Sequence, residues 1–214
     1  MSEGWEVVHV DELDAITVAG VVWRPLRRRL GIRAFGTNVY TSEGVGRQIV
    51  EEHDELGSGA GRHEEMYVVL RGRARFTVDG AELDAPAGTI VFIRDPAVKR
   101  VAVEEEEGTV VLAVGGEPGR AYQPSAWEHT FSAVPLLANE RWDEAIAELE
   151  TGLREHPGNA SILYNLACNE ALAGESDTAL DLLNEAVTSE ERFREYAQTD
   201  EDFASIRDDP RFPR

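Results

Sequence analysis

Three side chains between positions 53 and 65 could bind a divalent metal together. His63 lies two residues before Glu65, and on a β-strand this spacing puts both side chains on one face. His53 precedes the glycine-rich segment before them and could return beside them in the fold. Two histidines and a carboxylate with open coordination positions suit ferrous iron or zinc. His53, His63 and Glu65 are therefore one candidate metal set.

The same region also fits a site without a metal. His63 and Glu65 could line a pocket for a small ligand, with Tyr67 continuing their face, or could be hydrogen-bonded structural residues. Lys99, the only lysine, could pair with Glu65 or with an anionic ligand, act as an amine nucleophile or base, or lie on the surface. Its ammonium has no lone pair and would repel a metal unless burial deprotonated it. The predicted ligand-binding residues are His63, Glu65, Tyr67 and Lys99, and catalysis is left open.

Residues 5 to about 116 alternate short apolar runs with turn signals, a pattern typical of a β-sandwich or barrel. Asp79-Gly80 between two alternating runs predicts a hairpin with a tight two-residue turn. The consecutive carboxylates Glu104 to Glu107 predict a solvated loop or edge. Other predicted strands are Glu6–Val10, Ile16–Trp23, Thr89–Ile93 and Val110–Val114.

Two motifs in this part of the chain resemble those of the cupin family, over roughly residues 35–115. Glu65, six further residues and Gly72 match the end of the first cupin motif. Gly88, at the head of a buried strand, matches the start of the second motif, although the turn that follows is altered to Arg94-Asp95-Pro96. The resemblance implies an all-β barrel of the double-stranded β-helix type.

The usual metal ligands of cupins are largely absent at the matching positions. Gly59 and Gly61 stand where two histidines precede the glutamate, and Lys99 stands where the second motif has its histidine. The resemblance therefore implies a barrel without the usual metal site. The predicted cofactor is either none or a divalent metal (iron, zinc or manganese) held by the rearranged set of His53, His63 and Glu65.

Beyond about Trp127 the pattern is helical and repeats itself. The segment 142–146 recurs at 176–180, so that Ala145 and Ala179 are 34 residues apart (179 − 145). Ala133 and Ala167 are separated by the same period. These positions resemble tetratricopeptide repeats over roughly residues 126–192.

The repeat resemblance implies a protein or peptide partner. The predicted partner-binding residues are Ser161, Tyr164 and Cys168, on the concave face of the second repeat. The tail should form a capping helix followed by an apolar segment around Phe203 that covers the last apolar face.

Composition narrows the partners and the location. The net charge of −20 disfavours nucleic acid, because an acidic chain repels phosphate backbones. No apolar run approaches the roughly 20 residues that span a bilayer. Residues 1–6 lack the order of a secretory signal, and the lone Cys168 cannot form an internal disulfide. We expect a cytoplasmic protein without membrane or nucleic-acid partners, with a homodimer left open.

These observations predict an α+β multidomain protein, with an all-β cupin barrel over residues 1–122 and an all-α tetratricopeptide domain over residues 123–214. The leading function is small-ligand binding in the barrel combined with protein interaction through the repeats. The alternative is a metal-dependent cupin enzyme, oxygenase or isomerase-like, using His53, His63 and Glu65. The site decides between them, because such folds host many activities.

Overall fold

The computed structural model describes residues 6–18, 20–57 and 60–214. The chain divides into two compact units, Met1–Pro124 and Ser125–Arg214. The first is built mainly from strands and the second from helices, so the predicted fold class is confirmed. Gly59, one of the two glycines at cupin histidine positions, lies outside the described residues.

The strands of the N-terminal unit form two antiparallel sheets. Within the described residues the strands are β1 (Ile16–Val18), β2 (Val21–Arg24), β3 (Gly36–Ser42), β4 (Gln48–His53), β5 (Glu64–Arg71), β6 (Arg73–Val78), β7 (Ala81–Pro86), β8 (Ile90–Ile93), β9 (Arg100–Glu104) and β10 (Val110–Gly116). A short helix, α1 (Leu26–Leu30), follows β2. The strand order is β1-β2-β3-β10-β5-β8 in one sheet and β4-β9-β6-β7 in the other.

Apolar side chains from both sheets pack into one core. Successive side chains on a strand point to opposite faces, so every second residue faces the core. These inward positions can be apolar. The buried members of this core are Ile49, Val50, Tyr67, Val69, Ala74, Phe76, Ala85, Val91, Ile93, Ala102, Val111 and Ala113. On the outer face of the edge strand β8, Ile90 and Phe92 are 60% and 47% exposed. The guanidinium carbon of Arg94 lies 5.6 Å from the Phe92 ring centroid.

Three local predictions differ from the structure. The predicted strand Glu6–Val10 is wrong, since this segment ends in a 3₁₀ turn (Val10–Glu12) that the His9 side chain caps. The predicted strand Ile16–Trp23 is split into the β1–β2 hairpin at Gly20, whose φ of +84° suits glycine. Glu104 is buried at 2% exposure rather than solvated, because it lies on the inward face of β9. Its carboxylate accepts hydrogen bonds from the Ser42 hydroxyl and the Thr109 backbone N–H.

The C-terminal unit repeats a pair of helices. Its helices are α2 (Ala126–Ala138), α3 (Trp142–Glu155), α4 (Ala160–Ala173), α5 (Ser176–Ser189) and α6 (Arg192–Thr199). The helices α4 and α5 begin 34 residues after α2 and α3 (160 − 126 and 176 − 142). The predicted small positions Ala133, Ala145, Ala167 and Ala179 are all buried to 1% exposure or less. Among the described helices, none has the length and apolar character needed to cross a membrane.

The end of the chain covers the apolar face of the second helix pair. Phe193 on α6 and Phe203 in the 3₁₀ turn that follows belong to the same buried cluster as Leu180 and Leu183 of α5. The cap predicted for the tail is therefore confirmed.

Candidate functional site

Three strands bring polar side chains together between the two sheets. His53 ends β4 and pairs in register with Arg100, the first residue of β9. Glu65 and Tyr67 lie on one face of β5, in the opposite sheet. Glu55 and His63, in the segment between β4 and β5, complete the group. We call His53, Glu55, His63, Glu65, Tyr67 and Arg100 the Glu65 cluster.

An ion pair between Arg100 and Glu65 forms the centre of this cluster. The Arg100 side chain is fully buried, and its Nε and Nη2 both donate to Glu65 Oε2, the Nε at 3.1 Å. Arg100 Nη1 donates to the Val98 carbonyl oxygen at 3.0 Å. The Tyr67 hydroxyl donates to the same Glu65 oxygen at 2.5 Å. The guanidinium is thus held in place on several sides and in turn fixes the Glu65 carboxylate.

His53 is the member of the cluster most open to solvent, with 26% of its side chain exposed. Its Nδ1 lies 2.8 Å from the Glu51 carbonyl oxygen, so Nδ1 carries the proton that is donated there. Its Nε2 lies 3.6 Å from Glu65 Oε2 and 3.4 Å from the Tyr67 hydroxyl. His53 therefore presents one ring nitrogen to the ion pair, and this nitrogen is an acceptor when the ring is neutral.

Glu55 and His63 form the second side of the cluster. Glu55 is buried, and its Oε2 accepts from the backbone N–H groups of Gly61 at 2.9 Å and His63 at 3.4 Å. Its Oε1 lies 3.7 Å from Arg100 Nη2. The His63 ring is buried against Tyr122, at 5.6 Å between ring centroids. A Cβ at Gly61 would collide with the His63 ring, so a glycine is needed there.

Burial and charge act in opposite directions on the two main titratable groups. Burial raises the pKa of the Glu65 carboxyl, but the ion-pair contact with His53 and the Arg100 charge outweigh it and lower this pKa to about 2. Burial lowers the pKa of His53, but the ion-pair contact with Glu65 outweighs it and raises this pKa above its ordinary value. Burial and the Glu65 charge raise the pKa of Tyr67, so its hydroxyl stays protonated as a donor.

The stability of the N-terminal unit should depend on the His53 charge. Because the folded-state pKa of His53 is raised, its contribution is fully present below its ordinary pKa of 6.5 and is lost as pH rises through the folded-state value. Urea unfolding should therefore show that His53→Gln costs more stability at about pH 6 than at about pH 9. Glu65, with its lowered pKa, stays ionised throughout this range. Equal losses from His53→Gln at both pH values would contradict the prediction.

Lys99 does not reach this cluster. The residue is exposed, and its carbonyl oxygen accepts from the Asp79 N–H at 2.9 Å. Of the alternatives open for Lys99, the structure shows the exposed one, and the ion pair with Glu65 is made by Arg100, one residue later. Neighbouring residues in extended chain point to opposite sides, so a shift of one position exchanges the buried side chain for the exposed one. Arg100 and Glu55 are not among the site residues predicted from the sequence.

The predicted partner-binding residues lie mostly inside the helical unit. Tyr164 and Cys168 are buried at 7% and 5% exposure, and Ser161 is half-buried. The Tyr164 ring stacks on Phe193 at 4.7 Å, and its hydroxyl donates to Asp200 at 2.7 Å. Burial also raises the pKa of the Cys168 thiol. The expectation that Tyr164 and Cys168 present a partner surface is corrected, because the C-terminal cap covers them.

The Glu65 cluster does not fit a divalent metal while Arg100 holds its present position. Ligand atoms of His53, Glu55 and Glu65 lie within 4.8 Å of one another, which is close enough for a shared ion. However, Arg100 already donates twice to the Glu65 oxygen, and its guanidinium is permanently charged. A metal on these carboxylates would meet a like charge in a buried site, where repulsion is weakly screened. His63, from the predicted metal set, instead has its Nδ1 3.9 Å from Glu55 Oε2.

Comparisons with known proteins find similarities to both parts of the chain. The tetratricopeptide repeat family model matches residues 136–199. A cupin protein from Bacteroides fragilis is 17% identical and has a TM-score of 0.40, with 57% of this chain and 93% of that chain covered. A sugar phosphate isomerase of the cupin superfamily from Silicibacter pomeroyi is 16% identical and has a TM-score of 0.43, with 52% and 76% covered. A search of curated protein sequences finds no match. The tetratricopeptide repeats predicted for the C-terminal part are confirmed, and the N-terminal unit has the predicted all-β fold.

Proposed function

We propose that the N-terminal unit binds a small, neutral, hydroxyl-bearing molecule at the Glu65 cluster without a metal, and that the helical unit binds a protein. The observation that carries the first part is the buried bonding of Arg100 to Glu65. This ion pair supplies within the chain the positive charge that a metal would bring. It also holds the Glu65 carboxylate in one orientation, so ligand binding does not have to pay the entropy of fixing this side chain.

The charge of the cluster favours a neutral ligand over an anion. Glu55 and Glu65 together carry −2 and Arg100 carries +1, so the sum is −1 with neutral His53 and 0 with charged His53. An anion would have to displace Glu65 from Arg100 and would face Glu55 as well. A carboxylate accepts hydrogen bonds from hydroxyl groups, and a hydroxyl group donates without carrying a charge. A neutral ligand therefore takes the place of the anionic one that Lys99 would have favoured.

The exposed parts of the cluster are the parts that a ligand would touch. The side chains of His53 and Glu65 are 26% and 14% exposed, whereas that of Arg100 is fully buried. We assign His53 and Glu65 as the hydrogen-bonding groups for the ligand. Arg100 is a positioning residue that acts through Glu65.

A titration with three probes tests this ligand class. Amide NMR spectra of the full chain are recorded with a neutral polyol such as inositol, with acetate and with inorganic phosphate. We expect the polyol to shift β4 and β5 amides, and we expect Glu65→Gln to weaken its binding about tenfold or more, because a charge-assisted acceptor is lost. Glu64→Gln, on the opposite face of β5, is the matched control. Selective binding of phosphate or acetate, or polyol binding unchanged in Glu65→Gln, would contradict the proposal.

A metal-dependent enzyme is the second candidate, and one observation favours it. The ligand atoms of His53, Glu55 and Glu65 are within 4.8 Å of one another, so a small movement of Arg100 would leave a donor set of one histidine and two carboxylates. The metal content of protein purified without an affinity tag separates the two candidates. Near-stoichiometric iron, zinc or manganese that disappears in Glu65→Gln would support the enzyme and overturn the metal-free site.

The partner of the helical unit is proposed from its repeats and its charge. Residues 123–214 contain 20 acidic and 7 basic residues, a net charge of −13 (7 − 20). Tetratricopeptide repeats indicate a protein partner, and this charge favours a basic segment. An arginine-rich peptide that binds the full chain no better than a glutamate-rich peptide would contradict this partner class. The cytoplasmic location and the homodimer stay predictions.

A further inference from the structure

The helices α2 and α3 enclose a histidine in the C-terminal unit. His129 lies on α2, and its side chain is only 6% exposed. Gly152 on α3 makes room for its ring, because a Cβ there would lie 2.7 Å from His129 Cγ. Glu148 and Glu155, four residues before and three after Gly152, lie on the same face of α3. The helix α3 therefore presents a carboxylate on each side of the buried imidazole.

The two nitrogens of the His129 ring face different groups. Nδ1 lies 2.9 Å from Glu148 Oε1, and Nε2 lies 3.4 Å from Glu155 Oε2. His156 follows Glu155 at the end of α3, with its ring centroid 6.2 Å from that of His129. Ligand atoms of His129, Glu155 and His156 all lie within 4.8 Å of one another. A second imidazole and a carboxylate thus converge near the buried one.

We propose that His129, Glu155 and His156 bind a divalent cation of the zinc class, with Glu148 as the positioning residue. A carboxylate on one ring nitrogen is the usual partner behind a metal-bound histidine, because it fixes the proton there and leaves a lone pair on the other nitrogen. Two histidines and one carboxylate are a common zinc set, with a fourth position for water. This site is separate from the Glu65 cluster and does not depend on the function proposed for it.

The distances suit this ion. Zinc bonds of about 2.0–2.1 Å in tetrahedral geometry place ligand atoms about 3.3 Å apart. The separation of 3.4 Å between His129 Nε2 and Glu155 Oε2 already has this value, and rotation of side chains can bring the third ligand atom closer. The Glu155 side chain is 47% exposed, so an ion can enter from solvent.

A rival account uses the same contacts without a metal. A protonated His129 held between Glu148 and Glu155 would form two ion pairs and would bury little uncompensated charge. The two accounts differ in the role of His156, which contributes to a metal site but is not needed for these ion pairs. Variants at position 156 therefore distinguish them.

Cobalt titration of the full-length protein, purified without a tag and freed of metal with a chelator, tests the site. Mg²⁺ is kept in excess to occupy surface carboxylates. We expect one Co²⁺ per chain with visible absorption that Zn²⁺ abolishes. His156→Gln and Glu155→Gln should each weaken Co²⁺ binding by about 100-fold or more, and Glu148→Gln by about 10–100-fold. The controls are Glu150→Gln on an exposed part of α3 and the exposed His9→Gln, both with unchanged Co²⁺ binding.

Three results would overturn the proposal. The first is wild-type protein without saturable Co²⁺ absorption, which is the outcome expected for the ion-paired histidine. The second is Co²⁺ binding that is lost instead in His53→Gln. The third is Co²⁺ binding that survives within about threefold in both His156→Gln and Glu155→Gln. Both substituted residues lie at the end of α3 and are partly exposed, and far-UV circular dichroism establishes that the variants keep their helices.

Discussion

Replacing Arg100 with methionine is expected to lower the free energy of unfolding of the N-terminal unit by about 3–5 kcal/mol, because it leaves a charge without its partner in a buried site. The Glu65 carboxylate would keep the Tyr67 hydroxyl but lose two donors from the guanidinium. Methionine retains much of the apolar volume of the arginine chain, so the loss reports mainly on charge. Urea unfolding is followed by hydrogen exchange in peptides from β5 and β9. This measurement reports the unfolding of the N-terminal unit separately from that of the helical unit.

Two further variants make this result specific. Lys99→Met changes the exposed neighbour and should alter stability by less than about 0.5 kcal/mol. Arg100→Met combined with Glu65→Leu removes both charges and should recover more than half of the loss. The Glu55 carboxylate would still accept hydrogen bonds from the backbone N–H groups of Gly61 and His63. A loss in Arg100→Met no larger than that in Lys99→Met would show that the ion pair does not organise the barrel interior.

The second large effect is expected at Phe203, outside the repeat helices. This side chain is fully buried, and its ring lies 5.4 Å from Tyr164 and 6.1 Å from Phe212. Phe203→Ala should lower the unfolding free energy of the helical unit by about 3–5 kcal/mol, since a buried aromatic ring leaves a cavity. Urea unfolding followed by far-UV circular dichroism measures the effect, because the long helices lie in this unit.

Tyr196→Ala is the matched control for this cap. Tyr196 lies on α6 but is 51% exposed, so its removal should cost less than about 1 kcal/mol. A Phe203→Ala loss as small as this would mean that the repeats are stable without the segment that covers them. The buried environment of Tyr164 and Cys168 would then need another explanation.

Periodic and local features of the fold were predictable from the sequence. The offset of 34 residues between Trp142 and Ser176 marks the two repeated helices, because a repeat keeps the same buried positions in each copy. The Asp79-Gly80 turn was predictable for a different reason. Both residues have positive φ, +48° and +81°, as a two-residue hairpin turn requires.

The candidate sites were only partly predictable, because they depend on register and on packing between elements. The motif spacing points to Lys99, whereas the alternation of buried and exposed residues along β9 places Arg100 inward. The role of Glu55 depends on backbone N–H groups that are several residues away in sequence. His129 and His156 have no ligand-like spacing along the chain and meet only because α2 packs on α3. Nothing in their local sequence encodes that approach.

The outer face of β8 has a consequence for the colloidal behaviour of the protein. Ile90 and Phe92 expose apolar surface on a strand whose backbone is open on one side, which is the kind of surface on which chains stack edge to edge. Arg94 covers part of the Phe92 ring, but the larger barrier is the net charge of −20, which keeps approaching chains apart. Acidification toward the isoelectric point or concentrated salt weakens that repulsion. The apolar edge strand β8 is then free to associate with other chains.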